Sequence, residues 1–164
     1  MKTLIVFAHT FWKDSKVNRA LLESIKDKNN LKIHNLSTSY NDGKIDIDKE
    51  LILLKETDKI IFQFPLFWFS TPSLLKEWQD RVLSAILYGE KELLKGKFFQ
   101  VITTLGGAEQ SYDGHYGATL EELLKPIYYS FEYLGCKSVK PYAIFNANIN
   151  TLDLNTYKKV LGID

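Results

Sequence analysis

Apolar and polar positions along the chain fall into alternating segments of two kinds. Residues 3–8 form a continuous apolar run rich in branched side chains, as expected for a strand covered on both faces in a parallel sheet. A polar loop follows, in which Asp14 or Ser15 is placed to cap a helix carrying Val17, Leu21, Leu22 and Ile25 on one side. Residues 31–36 alternate and predict a second strand at a sheet edge. A polar excursion with an Asp42-Gly43 turn signal leads to a short helix over residues 49–56, with Asp48 as its expected cap. Residues 59–64 and 97–105 predict the third and fourth strands, and residues 138–145 a fifth, with Pro141 suited to an edge. Between them, a helix after Pro72 places Leu75, Trp78 and Val82 on one face, with Ser70 or Thr71 as cap. A second helix over residues 118–134 should be kinked or divided by Pro126 and stopped at Gly135. A last helix starts at Asp153 or Asn155. Strands interleaved with helices predict a doubly wound α/β domain spanning residues 1–164, with five parallel strands in the order 2-1-3-4-5.

The stretch KIIFQFPLFWFSTPSLLKEW, residues 59–78, departs most from an ordinary pattern. Pro65 ends an apolar strand, and Leu66, Phe67, Trp68 and Phe69 then form a loop too apolar for a solvent turn. Such a loop packs against a planar cofactor, a second subunit, or both.

Composition narrows the setting. The chain has 164 residues, 45% hydrophobic and 25% charged, with 21 Lys and Arg against 20 Asp and Glu and a net charge of +1. That balance offers no electrostatic footprint for nucleic acid. A single cysteine, Cys136, rules out an internal disulfide framework and reads as a buried or bystander thiol rather than a catalytic one. The apolar N-terminal run is far shorter than a membrane span and reads as a strand rather than a signal peptide, so a cytoplasmic protein is expected. Three separated histidines lack metal-ligand spacing, so no metal site is expected. His34, on the edge strand, reads as exposed.

In a doubly wound sheet, ligands lie beyond the carboxyl ends of the central strands. That rule brings residues 9–18, 65–70 and 103–116 to one crevice. His9, Ser15 and the amides of Lys16 to Asn18 offer donors for a phosphate at a helix start. Neither G-x-G-x-x-G nor G-x-x-x-x-G-K is present, which leaves a flavin mononucleotide site open and excludes the dinucleotide and nucleoside-triphosphate fingerprints. Leu66 to Phe69 can wall a flat ring, and amides around Thr104, Gly106 and Gly107 can face its pyrimidine edge. Tyr112 and His115, on a glycine-rich loop, can orient a nicotinamide or an acceptor.

LIVFAH at residues 4–9, SKVNRALLE at 15–23, DKIIFQFPLFWFSTPSLLKEWQDRVL at 58–83 and TTLGGAEQSYDGHYG at 103–117 carry a more specific signal. In these segments the chain resembles the flavodoxin-like NAD(P)H quinone oxidoreductases, and among them the short bacterial members that include ancillary proteins of glutathione-gated potassium efflux. The resemblance implies a flavodoxin-like three-layer sandwich and a homodimer whose active site is completed near the interface. It also implies a bound flavin, FMN in preference to FAD, which takes hydride from NADH or NADPH and passes two electrons to a quinone-like acceptor. Phosphate contacts then fall on His9, Ser15, Val17 and Asn18. The ring-binding loop falls on Pro65, Leu66, Phe67, Trp68 and Phe69, and the Thr-Thr-x-Gly-Gly loop on Thr103, Thr104, Gly106 and Gly107. The active-site tyrosine falls on Tyr112. The family's histidine precedes a glycine directly, whereas here Tyr116 precedes Gly117 and His115 stands one position earlier.

Without the C-terminal extension of larger relatives, a more open acceptor site is expected. The alternatives are a flavin-binding regulatory subunit peripheral to a membrane potassium-efflux system, a reductase of azo or nitro compounds, and a one-electron carrier. The near-neutral charge disfavours the last.

Overall fold

The computed structural model describes residues 1–163. Strands β1 (Thr3–Phe7), β2 (Leu31–Asn35), β3 (Lys59–Pro65) and β4 (Phe98–Thr104) lie parallel, with β1 and β3 buried along their whole length. The sheet order is β2-β1-β3-β4-β5, with the edge position of β2 and the expected 2-1-3-4-5 arrangement. The expected fifth strand is divided. Lys137–Ser138 (β5) pairs with Phe98 and Phe99, and Tyr142–Ile144 (β6) pairs with Ile102 to Thr104. Pro141, which has no amide hydrogen to give the ladder, falls in the gap.

Alternation along the strands divides the core between two faces. Leu4, Val6, Ile60, Phe62, Phe64, Phe99 and Val101 face one layer of helices: α3 (Ile47–Lys55), α4 (Ser73–Trp78), α5 (Ser84–Tyr88) and α6 (Leu120–Tyr133). Ile5, Phe7, Ile61 and Ile102 face α1 (Val17–Glu23) and α7 (Leu154–Val160), with Leu21, Leu22 and Tyr157 packed against them. A short α2 (Leu36–Ser39) follows β2. On the first face Phe62 meets Trp78, Phe99 and Phe131 edge-on, and Phe99 stacks on Phe131 with centroids 3.7 Å apart. A π-helical segment, Gln79–Leu83, joins α4 to α5.

Helix starts differ from the sequence expectation in three places. Neither Asp14 nor Ser15 caps α1, whose N-cap is Lys16 with no side-chain hydrogen bond. Asp46 caps α3, its carboxylate accepting from the Lys49 amide, so the helix begins two residues before the expected position. Pro72 occupies the N-cap of α4 in place of Ser70 or Thr71. Pro126 neither ends nor divides α6. An interior proline costs a helix roughly 3 kcal/mol. Here a reciprocal capping box between Thr119 and Glu122 and burial of Leu120, Leu124, Ile127 and Phe131 offset it. Gly135, at φ +88°, ends the helix as expected.

His34 lies on the edge strand as expected but is not exposed. Its side chain is only 13% exposed, and Nε2 lies 2.7 Å from the wholly buried carboxylate of Glu50. Glu50 also accepts from the Tyr40 hydroxyl (2.5 Å) and the Trp78 indole (2.7 Å). Burial pushes the pKa of Glu50 upward, and the hydrogen bonds from His34, Trp78 and Tyr40 outweigh it, leaving the carboxyl below its ordinary value. Cys136 is buried, and burial pushes its thiol up to about 12.

Candidate functional site

The loop after β1 is built from its own side chains. The Arg19 guanidinium lies 4.3 Å over the Trp12 ring and donates to the carbonyls of Trp12 (3.0 Å) and Ser15 (3.3 Å). Trp12 in turn packs edge-on against Phe7. His9 is held at both ends. The Ser37 hydroxyl accepts from its amide (2.9 Å) and donates to its carbonyl (3.1 Å), and the Phe11 amide donates to its Nδ1 (3.0 Å). Burial lowers the pKa of His9, so the ring is neutral near pH 7 with its proton on Nε2.

Ser15 is 8% exposed, and its Oγ has no hydrogen-bond partner among the described residues. Unpaired buried hydroxyls are rare because the group gives up water for nothing. This one lies beside the uncapped start of α1.

His9, Ser15 and the start of α1 share a cavity of about 300 Å³ with the ends of β3 and β4. Of the residues singled out from the sequence, its wall contains His9, Ser15, Val17, Asn18, Pro65, Leu66, Phe67, Thr104 and Gly106, together with Phe11, Asp14, Lys16, Leu105 and Ala147. The wall combines hydrogen-bond donors with apolar side chains, a composition suited to a planar ligand bearing an anionic group.

The remaining candidates lie outside that wall. Thr103 is wholly buried, its hydroxyl donating to the Phe64 carbonyl at 2.8 Å. Trp68 and Phe69 are the central residues of a tight turn closed by two 3.0 Å hydrogen bonds between Phe67 and Ser70. Both are left-handed, at φ 46° and 63°, and they are 93% and 59% exposed. A left-handed non-glycine residue costs roughly 1–2 kcal/mol, and the exposure of these two rings leaves little burial to offset it. Gly107 lies under Tyr112: a Cβ there would stand 3.2 Å from the phenol ring. Tyr112 itself packs against Phe145. His115 is exposed, edge-on to Tyr116, with its amide bonded to Asp113.

A buried polar chain behind the cavity escaped the sequence reading. Tyr157 donates to Gln63 Oε1 (2.7 Å), Gln63 Nε2 to Asn18 Oδ1 (3.4 Å), and Asn18 Nδ2 to Thr104 Oγ1 (2.9 Å). The available signal was Gln63 itself, an uncharged polar residue in the interior of the apolar strand KIIFQFP.

The profile of the Flavodoxin_2 family, described as a flavodoxin-like fold, matches residues 1–160. The chain belongs to this family. Relatives of this Flavodoxin_2 chain include general stress protein 14 of Bacillus subtilis, 36% identical over 157 residues and covering 90% of this chain and 87% of the relative. The uncharacterized NAD(P)H oxidoreductase YrkL of the same organism is 36% identical over 141 residues (84% and 81%). The glutathione-regulated potassium-efflux system ancillary protein KefG of Cronobacter sakazakii is 42% identical over 130 residues (76% and 70%).

Among solved structures, general stress protein 14 of Treponema denticola in complex with FMN superposes with a TM-score of 0.87 at 26% identity, covering 98% of this chain and 95% of the other. An NADPH-quinone reductase from P. pentosaceus gives 0.84 at 25% identity (99% and 94%). A structure described as a thermophilic tryptophan halogenase from Streptomycin violaceusniger gives 0.89 at 32% identity (96% and 97%).

Among the described residues no cluster of potential metal ligands occurs, and no helix is long and apolar enough to cross a membrane.

Proposed function

We propose that this Flavodoxin_2 protein is an FMN-dependent NAD(P)H oxidoreductase of the quinone-reductase type. The observation that carries the reading is the buried, unpartnered Ser15 hydroxyl, in a cavity wall shared with a neutral His9 and with the apolar Pro65, Leu66 and Phe67. The 26% identity to a general stress protein 14 solved with FMN supports the choice of FMN over FAD. Similarity to proteins described as NAD(P)H oxidoreductases and an NADPH-quinone reductase supports the donor and acceptor classes.

When bound, the flavin supplies the acceptance of hydride from NAD(P)H and the delivery of two electrons to a quinone-like acceptor. The chain's own residues bind and orient. Ser15, His9 Nε2–H and the amides of Val17 and Asn18 hold the phosphate, while Pro65, Leu66 and Phe67 exclude water from one edge of the ring. The Gly106 backbone, with no heavy atom within 4 Å of its missing Cβ, leaves room for close approach to the ring's polar edge. Tyr112 and His115, on the glycine-rich loop after β4, position the substrate. Trp68 and Phe69 close the site against a second copy of the chain, a homodimer that would explain two exposed aromatic residues held in a strained turn.

The test is an absorbance titration of the purified protein with FMN, followed anaerobically by NADH, NADPH and then a quinone. Bleaching of the bound flavin band by a nicotinamide and its return with quinone is the expected result. Absence of FMN binding, or binding without bleaching by either nucleotide, refutes it.

The 42% identity to KefG favours a second reading, in which the same site serves a regulatory subunit docked on a potassium-efflux system from the cytoplasmic side. FMN retention without nicotinamide turnover selects that reading.

A further inference from the structure

The wholly buried Tyr157 lies on α7, on the far side of Gln63 from the cavity, and has no part in the binding surface. Its phenol proton nevertheless decides the direction of every bond in the chain that reaches that surface. A buried hydroxyl proton needs an acceptor, and the one Tyr157 finds is Gln63 Oε1 at 2.7 Å. With its oxygen so engaged, Gln63 can present only its NH2 to Asn18. Asn18 then accepts through Oδ1 and must present its own NH2 to Thr104 Oγ1 at 2.9 Å. Thr104 therefore receives a hydrogen bond from behind, and its hydroxyl proton remains unspent in the cavity wall. Reversing the chain would leave the Tyr157 proton unpaired in the core and turn the Thr104 proton inward, onto Asn18. Burial also raises the phenol pKa, so the group stays protonated and stays a donor.

We propose that Tyr157 and Gln63 are positioning residues of the flavin site, acting through Asn18 to set the Thr104 hydroxyl as a hydrogen-bond donor toward the bound ligand. The proposal rests on the FMN reading. Removing the phenol oxygen frees Gln63 to turn over, and with it Asn18, so that Thr104 divides its time between offering a proton and offering a lone pair.

The experiment is a double-substitution cycle read by FMN affinity, from quenching of flavin fluorescence, in the wild type, Tyr157→Phe, Thr104→Val and the combined variant, well below each variant's melting temperature. Loss of one such hydrogen bond corresponds to about 3- to 10-fold in the FMN Kd. Thr104→Val is expected to weaken binding by that factor, and Tyr157→Phe by about 2-fold, because Thr104 then offers its proton for only about half the time. Tyr157→Phe is expected to add nothing once Thr104 is valine. Gln63→Met, which breaks the chain one link closer and keeps the side-chain length, should match Tyr157→Phe and replaces it if that variant does not fold. An unchanged Kd in Tyr157→Phe, or an equal loss in the presence and absence of the Thr104 hydroxyl, overturns the proposal and leaves Tyr157 a packing residue. Failure of the wild type to bind FMN overturns the cofactor reading itself, and this inference falls with it.

Discussion

Replacing Glu50 by Gln tests the account of the buried carboxylate most directly. In the wild type, Oε1 accepts from Tyr40 and His34 and Oε2 accepts from Trp78, so all three donors are satisfied by one side chain that is itself wholly buried. Glutamine keeps the volume but brings a single acceptor. If its oxygen stays on Tyr40 and His34, its NH2 faces the Trp78 indole N–H, and one buried donor is left unpaired at about 1–3 kcal/mol. The two surviving bonds lose their charge assistance, which adds about 1–2 kcal/mol. Relief from burying a charge returns part of this, for a net loss of about 2–4 kcal/mol. In a chain of this length that corresponds to a fall in Tm of about 5–15 °C.

The assay is urea unfolding of both proteins at a series of pH values from 7 to 3. Because the folded-state pKa of Glu50 lies below its ordinary 4.5, the carboxylate contributes stability that is present above that value and lost as pH falls through the folded pKa. Other depressed carboxyls, at Glu122 and Asp153, are common to both proteins and cancel in the difference. The gap between wild type and Glu50→Gln should therefore be full near neutrality and shrink under acid conditions. A loss below about 1 kcal/mol at pH 7, or a gap that does not vary with pH, refutes the reasoning.

Ser15→Ala should weaken FMN binding by about 3- to 10-fold, the worth of one hydrogen bond. It should not lower the stability of the apoprotein, because the hydroxyl has no partner to lose; a drop in apoprotein Tm without a change in Kd would remove Ser15 from the site. Cys136, with its thiol pushed up to about 12 in a buried setting, should resist a thiol-reactive probe at pH 8 in the native protein and react fully in urea. Rapid labelling of the folded chain would contradict that burial.

Much of the architecture was legible because hydrophobic patterning is a local property. The run TLIVF reads as a strand covered on both faces, and Pro65, Pro72 and Gly135 mark boundaries through backbone restrictions that act wherever they occur. With the strands and their intervening helices identified, strand order followed, and the carboxyl-end rule then gathered His9, Ser15, Asn18, Pro65 and Thr104 at one cavity. Capping was less legible, because a side chain two residues away competes on nearly equal terms: Asp46 took the α3 cap from Asp48.

What the pattern could not reach was the pairing of polar groups across the fold. Tyr157 is 94 residues from Gln63, and Asn18 is 86 from Thr104; only the packing of α1 and α7 on one sheet face brings these groups within bonding distance. His34 illustrates the same limit, since alternation placed it at an edge and tertiary structure placed Glu50 against it. The sequence alone determined which segments must be buried, since burial of apolar surface depends on area and periodicity and not on a particular partner. Which donor meets which acceptor was left to the tertiary structure, because a hydrogen bond is directional over about 3 Å and exists only when two distant backbones are already held at that separation.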